Sequence, residues 1–245
     1  MVINNSNIKI VDKTKTIEDC WEEALSTDRV GQGRPIPTFQ QIVSKNSSKE
    51  EREKMEEIRN AYSDLLYGWL LTNGIYDTEE GYYYIPKQIA SANKISKSIN
   101  LSRPTVSARM KGMLEAGVLI ETFQYYKLQV PKNHYFIMEQ QTLDFLLSVC
   151  KEDVIQVYAI IGGKWKMCQD LGFENCNVSL RAIAEQLGLA ISGQNIKKIE
   201  SILLVLNLFG LVDWEESEFN DNPVYRITVF NRRLKKKRTL EQEEE

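Results

Sequence analysis

The sequence predicts a mainly α-helical fold with small β hairpins, made of two similar units that follow an acidic helical segment. Three observations lead to this prediction. Apolar residues recur at the three- and four-residue spacing of an amphipathic helix over most of the chain. Two stretches about ninety residues apart share one pattern of helix caps, apolar positions and a terminal glycine. Each stretch is followed by two short apolar runs, which indicate a hairpin.

Composition narrows the class of protein. The 245 residues are 42% hydrophobic and 27% charged, which is ordinary for a globular chain of one or two domains. An apolar run of about 18 residues, the length of a membrane helix, does not occur, and the first residues lack the basic and apolar parts of a secretory signal. The four cysteines are scattered, and His134 is the single histidine. We therefore expect a cytoplasmic protein with reduced thiols and no metal, cofactor, membrane segment or enzyme activity.

The net charge of −3 conceals an uneven distribution. Residues 12–85 contain nine Lys and Arg and fifteen Asp and Glu, a net charge of −6. Residues 86–132 contain eight Lys and Arg and two Glu, a net charge of +6. Charges further away than about 8–10 Å are screened at physiological salt, so a partner of the second region meets a local positive field. This pattern favours a phosphate-bearing partner for the middle of the chain.

Four signals organise the N-terminal part. Thr16–Asp19 predicts the start of a helix of about ten residues that continues through Leu25. Residues 31–37 contain two glycines and two prolines, so they form either a linker or an extended arm. Ser48–Glu51 is a capping box for an amphipathic helix that ends at Gly74. Tyr82–Ile85 then predicts a short strand.

The next stretch has the pattern of two helices joined by a tight turn. The first helix is predicted to run from Ile89 to Ile99, and Leu101 fills the turn. Ser102 is a suitable N-cap for the second helix, and Pro104 lies in its first turn, where a missing N–H costs nothing. The predicted buried face of the second helix consists of Val106, Met110 and Met113. Its opposite face carries small or basic residues, namely Arg103, Thr105, Ser107, Ala108 and Lys111.

This stretch ends in a predicted hairpin. Gly117 ends the second helix, and residues 118–123 pair with residues 126–130. The 26 residues Ile95–Ile120 resemble the winged helix-turn-helix of bacterial DNA-binding proteins, whose pattern is S-R-x-T-V-S-x-x-L followed by L-x-x-x-G-x-I. The departure is Pro104, at a position where the family accepts many residues.

The resemblance implies that the second helix enters the major groove of double-stranded DNA, about 12 Å wide. Bases are then expected to meet Arg103, Thr105 and Ser107, and phosphates are expected to meet the surrounding basic side chains. The full set of expected DNA contacts in this unit is Lys97, Ser102, Arg103, Thr105, Ser107, Arg109, Lys111 and Lys127. Winged helices also serve as protein–protein modules, but the polar and basic outer face favours DNA.

A second copy of the pattern follows. Residues 179–189 predict its first helix and turn, residues 192–207 its second helix, Gly210 the stop, and residues 211–216 and 224–230 a hairpin. Two interpretations of its second helix remain open. The first turn offers DNA contacts at Gln194, Asn195, Lys197 and Lys198. Alternatively, the helix packs against a partner subunit through Leu204, Val205, Leu208 and Phe209, because Leu204 and Val205 replace Lys111 and Gly112 of the first copy.

These elements give the complete predicted architecture: mainly α with small β wings, two tandem winged-helix domains and an acidic helical N-terminal segment. The predicted boundaries are 1–47 for an N-terminal arm and linker, 48–132 for the first winged-helix domain, 133–230 for the second, and 231–245 for a charged tail. The tail has six basic residues in seven positions, 232–238. It is either a phosphate-binding arm or a solvated tail that partly neutralises itself.

Tandem winged helices in a chain of this size are similar to plasmid and phage replication initiators, and the winged-helix part also resembles DnaD-type primosome proteins. The resemblance implies sequence-specific binding of double-stranded DNA in replication initiation of a plasmid, phage or related mobile element. A homodimer is expected, with replication proteins as further partners. One alternative is a transcriptional regulator, and a second is a winged-helix scaffold for protein interactions.

Overall fold

The computed structural model describes residues 7–26, 33–37, 64–130, 135–151, 153–219 and 222–230. Within these ranges helices are combined with small antiparallel sheets, which confirms the coarse fold prediction. The helices are α1 (Ile17–Ser26), α2 (Asp64–Asn73), α3 (Ala92–Ser98), α4 (Arg103–Glu115), α5 (Gln140–Val149), α6 (Val154–Asp170), α7 (Leu180–Gln186) and α8 (Gly193–Leu208). The strands are β1 (Gly33–Pro37), β2 (Ile75–Asp77), β3 (Tyr82–Pro86), β4 (Leu119–Glu121), β5 (Tyr125–Gln129), β6 (Tyr135–Glu139), β7 (Cys176–Val178), β8 (Val212–Phe219) and β9 (Asn222–Val229).

The chain divides into two compact units, whose boundary differs from the predicted one. The first unit covers residues 8–156, and the second covers residues 157–245 together with residues 1–7. The division therefore lies after residue 156 and not after residue 132. The reason is that β6 pairs with β1, and α5 packs against α1 and α2. For the same reason α1 and β1 are integral parts of the first unit and not a separate arm.

Helix α1 begins where the sequence predicts. The Thr16 N–H donates to Oδ2 of Asp19 at 2.7 Å, and the Asp19 N–H donates to the Thr16 hydroxyl oxygen at 3.1 Å. This reciprocal cap satisfies two N–H groups that a helix start leaves without intrahelical partners. Trp21 is 1% exposed and stacks on Phe145 of α5, with ring centroids 3.7 Å apart. The helix is thus held to the core by an aromatic pair.

Helices α2 and α5 approach each other closely at Gly68. A Cβ at this position would lie 3.1 Å from Cδ1 of Leu143, tighter than ordinary van der Waals contact, so the absence of a side chain permits the approach. Helix α2 ends at Asn73, next to the predicted stop Gly74. The predicted capping box Ser48–Glu51 lies outside the described residues.

The first unit contains a four-stranded antiparallel sheet in the order β2-β3-β5-β4. Its register places Tyr84 of β3 and Ile120 of β4 on either side of Lys127 in β5. The predicted strand at Tyr82–Ile85 and the predicted hairpin are confirmed, although β4 ends at Glu121 and not at Phe123. Gly117, with φ of +70°, provides the left-handed turn between α4 and the hairpin.

The second unit repeats the order of elements found in the first. In the first unit α2, β2, β3, α3, α4, β4 and β5 follow one another, with β5 between β3 and β4, and β2 is the one element of this series that the described residues of the second unit lack. In the second unit α6, β7, α7, α8, β8 and β9 follow one another, with β9 between β7 and β8. Helices α4 and α8 both end before a glycine of positive φ, Gly117 at +70° and Gly210 at +68°.

Among the described residues no helix is long and apolar enough to cross a membrane.

Candidate nucleic-acid interface

Helices α3 and α4 are joined by a short turn, and each of the two helices begins at a serine N-cap. The hydroxyl oxygen of Ser91 accepts the Lys94 N–H, and that of Ser102 accepts the Thr105 N–H, each at 3.3 Å. The hydroxyls of Ser102 and Thr105 also lie 2.7 Å apart, so one donates to the other. Ser102 was predicted as a DNA contact. The structure engages its hydroxyl in holding the start of α4.

Helix α4 has the two faces that its sequence predicts. Val106 and Met113 are fully buried, and Met110 is 8% exposed. The opposite face is exposed at Arg103, Pro104, Ser107, Ala108 and Lys111, whereas Thr105 and Arg109 are half-buried. Small side chains therefore lie among the basic ones on the exposed face of α4.

One side chain in the turn was not singled out from the sequence. The Asn100 amide nitrogen donates to the backbone carbonyl of Cys150 at 2.8 Å and also to the carbonyl of Lys9. The turn is thereby bonded to the residue after α5 and to the segment before α1. These partners are 50 and 91 residues away along the chain, so no local pattern could reveal them.

Lys127 does not have the surroundings expected for a phosphate contact. Its ammonium lies 2.6 Å from Oε2 of Glu80 and 5.0 Å from the centre of the Tyr84 ring. Hydrogen bonding with the Glu80 carboxylate, and then with the Tyr84 hydroxyl, raises the pKa of Lys127. The same lysine lowers the pKa of Glu80. The charge of Lys127 is thus compensated by Glu80 in the turn between β2 and β3, and we remove this residue from the candidate interface.

The remaining charges leave the α3–α4 face positive. Glu115 and Glu121 are the acids of residues 86–130, and each lies next to a lysine. The Lys87 ammonium lies 2.6 Å from Oε1 of Glu121, and the Lys111 ammonium lies 3.6 Å from Oε1 of Glu115. The second pair is an exposed i, i+4 pair, which contributes little to stability. Lys97 and Arg103 are exposed on the same helix pair.

The tip of hairpin β4–β5 carries an exposed aromatic side chain. Phe123 is 93% exposed, and with Gln124 it forms the two-residue tip between Thr122 and Tyr125. Phe123 was expected in a strand that begins at Val118.

Helix α8 presents a different outer face from α4. Its cap is similar, since the Ser192 hydroxyl oxygen accepts the Asn195 N–H at 3.3 Å. Gln194 and Lys197 are exposed, whereas Lys198 is half-buried. The predicted DNA contact Asn195 has its amide engaged with the Ala190 carbonyl at 2.8 Å.

Of the four apolar residues predicted to form a surface on α8, the structure exposes two. Leu204 and Leu208 are 51% and 50% exposed. Val205 and Phe209, however, are 1% and 3% exposed, so the prediction that they lie at an interface is wrong. The buried residues of this helix span an arc of about 160°, since successive residues are about 100° apart, and that arc includes both positions.

The described ranges show neither a metal-binding cluster nor a disulfide. They contain no group of three or more His, Cys, Asp and Glu side chains placed to hold a metal ion. The four cysteines are buried free thiols. Comparisons of the chain with protein-family models, with curated proteins and with solved structures give no match. The physical character of the α3–α4 face is therefore the basis for a functional proposal.

Proposed function

We propose that this protein has two tandem winged-helix units and binds double-stranded DNA sequence-specifically through α4 of the first unit. The first unit is the better suited of the two to DNA, because the outer face of its second helix is polar and basic. One observation carries the proposal: the exposed face of α4 is formed by small, polar and basic side chains. The helix is capped by Ser102, and the turn before it is bonded through Asn100 to distant backbone carbonyls. The element order helix–strand–helix–helix–strand–strand, which the second unit has and the first unit has with β2 added, supports the tandem winged-helix assignment because that fold has the same order.

The proposed mode of binding places the N-terminal half of α4 in the major groove. Arg103 would pair with the O6 and N7 acceptors of guanine, since a guanidinium offers two parallel N–H donors. Ser107 would donate to or accept from a neighbouring base edge, and the methyl group of Ala108 allows close approach. Thr105 has its hydroxyl close to that of Ser102, so we assign it mainly to the shape of the first turn.

Phosphate contacts would come from basic residues around this helix. Lys97 and Lys111 are exposed, and Arg109 is half-buried. Each phosphate contact releases a counterion from DNA, so affinity should fall steeply as salt rises. These contacts fix the position of α4 on the duplex but do not select the sequence.

The second unit is proposed to mediate self-association. Aligning Gly210 with Gly117 places the exposed positions Lys111 and Glu115 of α4 over Leu204 and Leu208 of α8. Charged side chains on the outer face of one helix are thus replaced by leucines on the other. A homodimer formed through α8 would present two copies of α4 to DNA. The exposed residues Gln194 and Lys197 remain candidate DNA contacts at the start of α8.

The proposed biological setting is replication initiation of a plasmid, phage or related mobile element, with replication proteins as further partners. The resemblance of Ile95–Ile120 to winged helix-turn-helix proteins and the tandem arrangement support this setting. A transcriptional regulator would use the same chemistry. A protein-interaction scaffold is the second candidate function, and the exposed Leu204 and Leu208 favour it, because paired apolar side chains on one helix face mark protein contacts.

Site selection tests these proposals. The full chain is incubated at low salt with a library of random duplexes, and the bound DNA is recovered and sequenced. We expect enrichment of one motif. Direct repeats of the motif would support replication initiation, and a single palindrome would support regulation. If the chain neither enriches a motif nor binds mixed duplex at low salt, DNA binding is excluded and the scaffold function gains support.

A further inference from the structure

Phe123 is the most exposed large apolar side chain among the described residues, with 93% of its surface accessible. Isolated exposed apolar residues are common on proteins, so exposure alone indicates little. The informative feature is that the segment carrying Phe123 is tightly held. The ring therefore projects from a defined position at the tip of hairpin β4–β5.

Hydrogen bonds hold this tip on both sides. The backbone N–H and the hydroxyl of Thr122 donate to the Tyr125 carbonyl at 2.9 and 2.7 Å. The Tyr125 N–H donates to the Thr122 hydroxyl oxygen at 3.1 Å. The Gln124 carbonyl accepts the Lys87 N–H at 3.0 Å, which ties the tip to the end of β3. The backbone that carries Phe123 is therefore positioned before any partner arrives.

The tip carries no charge that would repel a polyanion. Residues 122–125 are uncharged, and the preceding acid, Glu121, is neutralised by Lys87 at 2.6 Å. No unpaired carboxylate in this described segment therefore opposes the approach of phosphates. The exposed Gln124 side chain adds an amide that can donate to the base acceptors of the minor groove.

We propose that Phe123 is a wedge that enters the minor groove and inserts between two stacked base pairs while α4 occupies the adjacent major groove. This inference rests on the proposed function. Apolar wedges partially unstack a base step and bend the duplex by about 20–90°. Unstacking costs free energy, which the contacts of the inserted ring must offset. A wedge whose backbone is already ordered loses less conformational entropy on binding than one that must be ordered, so more of the contact free energy is retained. The wedge also has a sequence consequence, because pyrimidine–purine steps are the easiest to unstack. The selected site should hold a TA or CA/TG step beside the bases read by α4.

The test uses the duplex recovered by site selection, with 2-aminopurine placed at successive steps, because its fluorescence rises when it is unstacked. Four full-length proteins are compared: the wild type, Phe123→Ala, Phe123→Leu and Ile75→Ala. Leucine keeps an apolar wedge. Ile75 is 74% exposed on β2, at the opposite edge of the same sheet, and is the matched control for loss of an exposed apolar side chain.

We expect one step to brighten with the wild type, Phe123→Leu and Ile75→Ala but not with Phe123→Ala. The affinity of Phe123→Ala for the selected duplex should fall about tenfold. Thermal melting should be unchanged, since the ring has no packing to lose. If the wild type binds the duplex but brightens no step, or if Phe123→Ala binds equally well, the wedge is overturned and DNA binding stands. If Phe123→Ala changes the sedimentation of the free protein, Phe123 contacts protein and the wedge is also overturned. If the wild type binds no duplex, the proposed function and the wedge fail together.

Discussion

The side-chain amide of Asn100 and the backbone carbonyl of Cys150 are joined by a hydrogen bond of 2.8 Å. The same amide donates to the carbonyl of Lys9, so both of its hydrogens are used. Residues 8–11 in turn bond to the end of α5, where the Lys9 N–H donates to the Val149 carbonyl at 2.8 Å. The turn between α3 and α4 is therefore fixed by contacts remote in sequence, and the orientation of α4 depends on them.

Replacing Asn100 tests this dependence. Asn100→Ala removes the donor for two backbone carbonyls, and we expect the free energy of unfolding to fall by about 1–2 kcal/mol. Urea denaturation followed by tryptophan fluorescence measures the change. Asn93→Ala is the control, because Asn93 is exposed on α3. Equal stability of the two variants would show that the Asn100 bonds contribute nothing net.

Arg103→Ala tests base recognition. If the guanidinium pairs with guanine, its loss should cost about 1–3 kcal/mol of discrimination between the selected site and the same site with that guanine replaced. Competition binding with the two duplexes measures the discrimination. Lys13→Ala, a change of equal charge at an exposed position before α1, should leave the discrimination unchanged. A uniform loss of affinity for both duplexes on Arg103→Ala would assign the residue to a phosphate instead.

Lys97 and Lys127 are predicted to behave differently although both are lysines of the positive region. Lys97→Ala should lower the slope of log affinity against log salt by about 1, because one phosphate contact is lost. Lys127→Ala should leave that slope unchanged, since its ammonium is bonded to Glu80 at 2.6 Å. Binding titrations at several salt concentrations measure both slopes. A reduced slope for Lys127→Ala would return this residue to the interface.

The sequence predicts what depends on local periodicity and misses what depends on distant pairing. The division of α4 into a buried and an exposed face follows from the spacing of Val106, Met110 and Met113, and the structure confirms it. The environment of Lys127 depends on the register that sets it opposite Tyr84, and a single strand does not reveal that register. Phe209 was misassigned because a wide buried arc includes positions that a narrow helical stripe leaves out.

The Glu80–Lys127 pair gives a pH prediction. Hydrogen bonding from Lys127 lowers the pKa of Glu80 in the folded protein. The stabilisation is therefore complete above the ordinary glutamate pKa of about 4.3 and is lost as the pH falls through the lower, folded value. Unfolding at pH 6 and at successively lower pH should show a smaller acid destabilisation for Glu80→Gln than for the wild type. Parallel pH profiles would contradict the pair. Other carboxyls of lowered pKa, such as Asp12 and Asp19, act equally in both proteins and cancel in the comparison.

Leu204→Glu tests the division of labour between the two units. A charge placed on the exposed α8 face cannot be buried against a second copy without a large desolvation cost, so we expect dimers to dissociate. Leu171→Glu is the matched control, since Leu171 is 64% exposed in the same unit but lies outside α8.

Sedimentation velocity measures the oligomeric state, and binding to a single half-site measures the DNA affinity that α4 retains. We expect Leu204→Glu to be monomeric and to bind the half-site as the wild type does. The paired site should be bound more weakly because one of its two contacts no longer comes from a linked subunit. If the wild type sediments as a monomer at all concentrations, or if Leu204→Glu sediments as the wild type does, α8 is not the dimer surface, and its leucines then contact a different protein or only solvent.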